Sequence, residues 1–94
     1  MPPVELPKSA EVVVLDNAGP AVPGRIVSLF ETELAIESAV DAPVYAPVRV
    51  TWDTHIALGE VLEAHGDGAS RVTKVFLHHF MDLAAAAGSS TYWF

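Results

Sequence analysis

The sequence contains no cysteine. Disulfide bonds are therefore excluded, as are thiolate catalysis and metal or iron–sulfur sites built on cysteine ligands. The 94 residues are enough for one domain and leave no room for a second core. Because a core of this size is small, association with a second copy would be a natural way to hide more apolar surface.

Basic residues are also scarce, with five against twelve acidic residues and a formal charge of −7. The five are scattered along the chain: Lys8, Arg25, Arg49, Arg71 and Lys74. No basic stripe exists to follow a phosphate backbone, and acidic patches are repelled by anionic membranes. The composition therefore predicts neither a nucleic acid nor a membrane as partner.

Long apolar runs are missing as well, since no stretch approaches the roughly 20 apolar residues of a membrane span. The segment Met1–Lys8 has three prolines but no apolar signal core and no positive leading region. We therefore expect a cytoplasmic protein whose first residues, 1–9, form a proline-rich arm.

Short β-branched and alternating segments fill the middle of the chain. Val48, Val50 and Trp52 alternate with polar residues, which is typical of a half-buried strand with Trp52 in the core. Gly59 lies inside another such segment and indicates a bulge or a close backbone approach. Six strands are predicted, at about Ala10 to Leu15, Arg25 to Phe30, Glu33 to Ser38, Val48 to Trp52, Ile56 to Glu63 and Arg71 to Leu77.

Two connections are irregular. The turn at Glu31 and Thr32 lacks Asn-Gly chemistry, so we expect a bulge or a less regular turn there. The segment 42–47 has two prolines and is predicted to be a crossing loop.

Ile56, Leu58 and Leu62 are expected to share one face of their strand.

A short helix is predicted after the last strand. Phe80, Leu83, Ala84 and Ala87 recur at helical spacing, so the helix should begin near His79 and stop at Gly88. The fold class is therefore mainly β, a small six-stranded antiparallel barrel over residues 10–88 with a short C-terminal helix. Residues 89–94 form an aromatic tail that ends in Tyr92, Trp93 and Phe94.

The region from about Ala10 to Ala87 resembles the PilZ domain, the bacterial receptor module for cyclic di-GMP. The resemblance depends on the hairpin 25–36, the proline-rich crossing loop and the segments Val48-Arg49-Val50 and Leu58-Gly59-Glu60-Val61. A final strand leading into a helix completes it. It implies a PilZ-like barrel with a part in cyclic di-GMP signalling.

The nucleotide motifs of that family are absent. No arginine precedes Arg25, so the arm has no R-x-x-x-R pair and only Lys8 as a cation. The motif [D/N]-x-S-x-x-G falls on 28–33, where Ser28, Phe30 and Glu33 replace its three defining residues. Phe30 has no hydroxyl, and Glu33 adds a charge that repels phosphate.

The functional prediction is a non-enzymatic PilZ-like regulatory or adaptor domain that acts through protein contacts. Its partner would be another protein or a second copy, bound by the aromatic residues Phe80, Tyr92, Trp93 and Phe94. The alternative is a cyclic di-GMP receptor with an atypical site, in which Lys8, Arg25, Arg49 or Arg71 holds phosphate. No cofactor is predicted.

Other chemistry finds little support in the residues. His78 and His79 are adjacent and do not share a face, so a metal would need ligands from elsewhere, such as His55, His65 or Asp82. Four acidic residues lie close together in the sequence: Glu31, Glu33, Glu37 and Asp41. This pattern is more typical of a solvated strand face than of acid–base catalysis or calcium binding. No nucleophile–base pair is recognisable, which argues against an enzyme.

Overall fold

The computed structural model describes residues 5–16 and 19–83. Within these residues the chain forms six β-strands and one 3₁₀ turn. The elements are β1 (Lys8–Val14), β2 (Val22–Phe30), β3 (Glu33–Ser38), β4 (Pro47–Trp52), β5 (His55–His65), the 3₁₀ turn Gly68–Ser70, and β6 (Val72–Asp82).

The six strands form a closed antiparallel barrel in the order β1-β2-β3-β6-β5-β4. Pairing of β1 with β4, with Val12 opposite Val50, closes the sheet on itself. Because β3 and β4 are not neighbours, residues 39–46 connect them across the barrel, which confirms the predicted crossing loop. The fold class is thus confirmed as mainly β and barrel-forming.

The core is made by the inward residues of alternating strands. Leu34 and Ile36 on β3 and Val50 on β4 have no solvent-exposed surface. Trp52 is only 3 % exposed, which confirms its predicted place in the core. The buried apolar set is Ala10, Val12, Val14, Ile26, Leu34, Ile36, Val40, Ala46, Val48, Val50, Trp52, Ala57, Val61, Val75 and Leu77.

The structure has both features that Gly59 indicates in the sequence, a bulge and a close approach of another backbone. The register of β5 against β6 shifts between Leu58 and Gly59. An added Cβ at Gly59 would lie 2.1 Å from the Phe76 carbonyl oxygen. Ile56, Leu58 and Leu62 do share a face, but it is the half-buried outer face, and Ala57 and Val61 point inward.

The predicted start of the C-terminal helix is wrong. Residues 79–82 continue β6 and pair with β5, with Phe80 opposite Ala57 and Asp82 opposite His55. The apolar spacing of Phe80 and Leu83 fits a helix, but the backbone of β5 offers hydrogen-bond partners that extend the strand. Residues 84–88 of the predicted helix, and the tail with Tyr92, Trp93 and Phe94, lie outside the described residues.

The start of β1 also differs from prediction. β1 begins at Lys8, inside the predicted arm, because Lys8 pairs with Ile26. The β2–β3 turn has its irregularity in Glu31, whose φ is 55°, while the register shift lies farther back, between Ile26 and Ser28. Among the described residues, no helix has the length and apolar character needed to cross a membrane.

Candidate functional site

The four basic residues suggested as phosphate ligands are spread over the barrel, with Lys8 on β1 and Arg25 on the neighbouring strand β2. Lys8 Nζ lies 2.7 Å from Asp53 Oδ2, in the turn between β4 and β5. Arg25 donates from Nε to Glu37 Oε1 at 2.8 Å across β2 and β3. Each cation therefore already has a carboxylate of its own.

The other two lie elsewhere. Arg71, just before β6, donates from Nη1 to the Val40 carbonyl at 3.0 Å and lies 3.4 Å from Asp41 Oδ1. Those contacts tie the crossing loop to β6. Arg49 is exposed on the outer face of β4. The described residues thus bring Arg25 next to the Lys8 strand but do not gather the four guanidinium and ammonium groups into one site.

Two adjoining hollows follow β1 and β2 on the outside of the barrel. Their volumes are about 430 Å³ and about 470 Å³, and they share Ser9, Pro23 and Gly24. The first is bounded by Arg25 and Glu37, whose charges neutralise each other. The second is bounded by the carboxylates of Glu11 and Asp53. Neither hollow presents an uncompensated positive charge to a phosphate.

One end of the barrel is filled by three rings. The Trp52 and His55 rings stack with centroids 5.4 Å apart, and Phe80 lies 5.8 Å and 5.3 Å from them. His55 Nε2 is 3.5 Å from Asp82 Oδ2, and the Thr54 hydroxyl donates to Asp82 Oδ1 at 3.0 Å. Phe80, predicted to bind a partner, is half-buried and packs against the core.

Metal chemistry gains no support from the part of the chain that is described. Among residues 5–16 and 19–83, no group of three or more His, Asp or Glu side chains is placed to hold a metal ion. His78 instead packs edge-on against Phe76 at 5.0 Å, and its Nε2 lies 3.5 Å from Glu60 Oε1.

Glu63 and Lys74 form an exposed ion pair between β5 and β6. Lys74 Nζ lies 3.1 Å from Glu63 Oε1, and His65 Nε2 lies 3.3 Å from Oε2. The hydrogen bond from Lys74, with a second from His65, holds the pKa of Glu63 below its usual value. The same carboxylate raises the pKa of Lys74. Lys74 is therefore occupied locally and offers little free charge to a ligand.

A tight turn precedes β4 and presents an aromatic ring to solvent. Ala46 N donates to Pro43 O at 3.1 Å, which closes a β-turn. Tyr45, at the third position, has φ of 71° and is 71 % exposed. A positive φ at that position is the type II pattern, which normally takes glycine or asparagine. Tyrosine here is unusual, because its Cβ disfavours the left-handed region.

A row of aromatic and acidic side chains crosses the outside of four strands. Phe30 pairs with Glu33, Glu33 pairs with Phe76, and Phe76 pairs with Glu60. Directly paired residues project from the same face of a sheet, so the four side chains form one line. Phe30 is 69 % exposed, and Phe76 is half-buried. We call these four residues the aromatic–acidic row.

No family model matches the sequence, and no curated protein or solved structure shows significant similarity to it. The resemblance to PilZ domains therefore depends on the pattern of strands and turns in the sequence.

Sequence reasoning did not single out Tyr45 or the aromatic–acidic row. Tyr45 lies in a proline-rich segment. A left-handed residue is normally recognised in a sequence as glycine or asparagine, and neither occupies this position. Phe30 attracted attention only as a replaced motif residue. The sequence offered one signal of a rigid turn: Pro43 and Pro47 lie four residues apart on either side of Tyr45.

Proposed function

We propose that this protein is a non-enzymatic, PilZ-like binding module of the cytoplasm that acts through protein contacts, with the Tyr45 turn as a contact point. The proposal depends on one observation: Tyr45 is exposed and its backbone has a left-handed conformation. Six antiparallel strands closed into a barrel agree with the PilZ-like architecture but do not distinguish it from other small barrels.

The Tyr45 ring contributes little to folding, since 71 % of the residue is exposed. Its backbone conformation disfavours folding by about 1–2 kcal/mol relative to an ordinary φ. Backbone strain of this kind is concentrated at functional sites. A solvent-exposed tyrosine with a strained backbone is therefore better explained by contact with another molecule than by stability.

The turn also holds the ring in place before any partner arrives. Tyr45 N donates to Val61 O at 2.7 Å, and Val61 N donates to Ala46 O at 3.0 Å. Ala46 itself is buried. Anchoring the turn to β5 reduces the entropy lost when it is immobilised in a complex. Tyrosine on such a support is a favourable interface anchor.

Site-specific photocrosslinking tests the contact. A benzoylphenylalanine placed at Tyr45 in cells that make the protein should yield a discrete protein adduct. The same amino acid placed at Glu11, exposed on β1, serves as the matched control and should not yield that adduct. Equal adducts from both positions, or none from position 45, would contradict the proposal.

The alternative function, binding of cyclic di-GMP at an atypical site, is tested by calorimetry. Because Lys8, Arg25 and Arg71 are each engaged by a carboxylate, we expect no saturable heat up to about 100 μM nucleotide, a concentration that would fill a regulatory site. Saturable heat that the Arg25→Glu variant abolishes would instead establish the nucleotide as the ligand.

A further inference from the structure

We propose that the aromatic–acidic row and the Tyr45 turn form one docking surface for a basic, extended segment of a partner protein. The inference rests on the proposed function, because it specifies the chemistry of the partner that the Tyr45 turn contacts.

The two features are continuous on the outside of the barrel. The row ends at Glu60 on β5, whose partner on β4 is Pro47. The next residue, Val61, binds the Tyr45 turn through its backbone N–H and carbonyl. A chain lying along the row from Phe30 to Glu60 would therefore reach the turn without leaving the surface.

The charges on this surface favour a cation. Glu31 and Glu33 are exposed, and neither has an ion pair within residues 5–16 and 19–83. Within the same described residues, the ion-pair partner of Glu60 is His78, whose Nε2 lies 3.5 Å from Glu60 Oε1. Lys74 Nζ lies 3.1 Å from Glu63 Oε1, and the charge of Glu33 attracts it without forming an ion pair. Lysine or arginine of a partner can pair with these carboxylates and lie over the neighbouring Phe30 ring.

The strand spacing indicates how the cations should be spaced. Adjacent strands lie about 4.8 Å apart, so Glu33 and Glu60, two strands apart, are separated by roughly 10 Å. A polyproline II segment rises about 3.1 Å per residue and repeats its face every third residue, or about 9 Å. Basic residues at i and i+3 of an extended segment would thus meet both carboxylates.

A second copy of this chain is a poor occupant. Its five basic residues are scattered, and Lys8, Arg25, Arg71 and Lys74 are already paired with carboxylates. The net charge of −7 also opposes self-association. The same charge repels nucleic acid. A basic segment of a different protein is therefore the occupant that the surface fits.

Selection from a random peptide library displayed on phage tests the inference. Wild-type protein should enrich peptides with at least two basic residues, most often three positions apart. Measured by fluorescence anisotropy at low ionic strength, the Glu33→Gln/Glu60→Gln variant should bind an enriched peptide about tenfold more weakly. The charge-matched control Glu5→Gln/Glu11→Gln, altered at two exposed carboxylates outside the row, should bind within about twofold of wild type.

Three outcomes would overturn the inference: enrichment of peptides without basic residues, failure to enrich basic ones, or equal weakening in the control variant. The Tyr45→Asn variant separates the two proposals. If the enriched peptides show no preference for basic residues but Tyr45→Asn weakens their binding, contact through Tyr45 is supported and the basic partner is contradicted. If Tyr45→Asn leaves the binding of basic peptides unchanged, the Tyr45 turn is not part of the docking surface.

Discussion

Replacement of Gly59 by alanine is expected to destabilise the protein by about 3 kcal/mol or more. The new Cβ would lie 2.1 Å from the carbonyl oxygen and 2.9 Å from the carbonyl carbon of Phe76. Both are backbone atoms of β6, so no side chain can rotate to relieve the overlap. Relief requires β5 and β6 to separate locally, which breaks ladder hydrogen bonds.

Urea unfolding followed by tryptophan fluorescence measures this loss. Gly68→Ala is the control, because nothing lies within 4 Å of its added Cβ although φ is +55°. That variant should lose only about 1 kcal/mol, from backbone strain alone. If Gly59→Ala unfolds within about 0.5 kcal/mol of wild type, β5 and β6 do not approach as closely as described.

Truncation of Leu34 to alanine is the second large effect, with an expected loss of about 3 kcal/mol. Leu34 is fully buried on β3, between Leu29 of β2 and Val75 of β6. Removing its side chain leaves a cavity that the rigid barrel cannot fill by collapse. Since domains of this size are stable by only about 5–15 kcal/mol, the melting temperature should fall by roughly 10–20 °C.

Phe30→Ala is the matched control for this truncation. It removes a larger side chain from the same hairpin, but Phe30 is 69 % exposed. Calorimetric melting should therefore show a change within about 0.5 kcal/mol. Similar losses from both variants would mean that burial in this hairpin is assigned to the wrong face.

The strands could be predicted because their alternation is a local property. Leu34 and Ile36 alternate with Glu33 and Glu37, and the strand Glu33–Ser38 is found as predicted. Gly59 was also interpretable in advance, because glycine inside a strand marks a close approach. These features need no knowledge of which strands are neighbours.

The end of β6 could not be predicted in the same way. Phe80 and Leu83 have a spacing that suits a helix, and the outcome depends on whether another strand offers backbone partners. β5 does so, and Phe80 becomes packed against Trp52 and His55. The inward face of β5 could not be predicted either, because the small residues Ala57 and Gly59 lie on it while larger side chains lie on the outer face.

The candidate site depended even more on pairing between distant segments. The ion pair of Arg25 with Glu37 follows from the register of β2 against β3, which no local pattern specifies. The aromatic–acidic row likewise exists only because β6 lies between β3 and β5. The φ of Tyr45 follows from a turn that forms against Val61.

On the proposed function, Tyr45 serves contact with a partner and does not support folding. The free energy of unfolding of Tyr45→Asn, measured in urea, separates these two roles. Asparagine adopts the left-handed region more readily, and little buried surface is lost, so the variant should be about 1 kcal/mol more stable than wild type. A loss of about 1 kcal/mol or more would show that the Tyr45 ring supports the fold and would contradict its proposed role in contact.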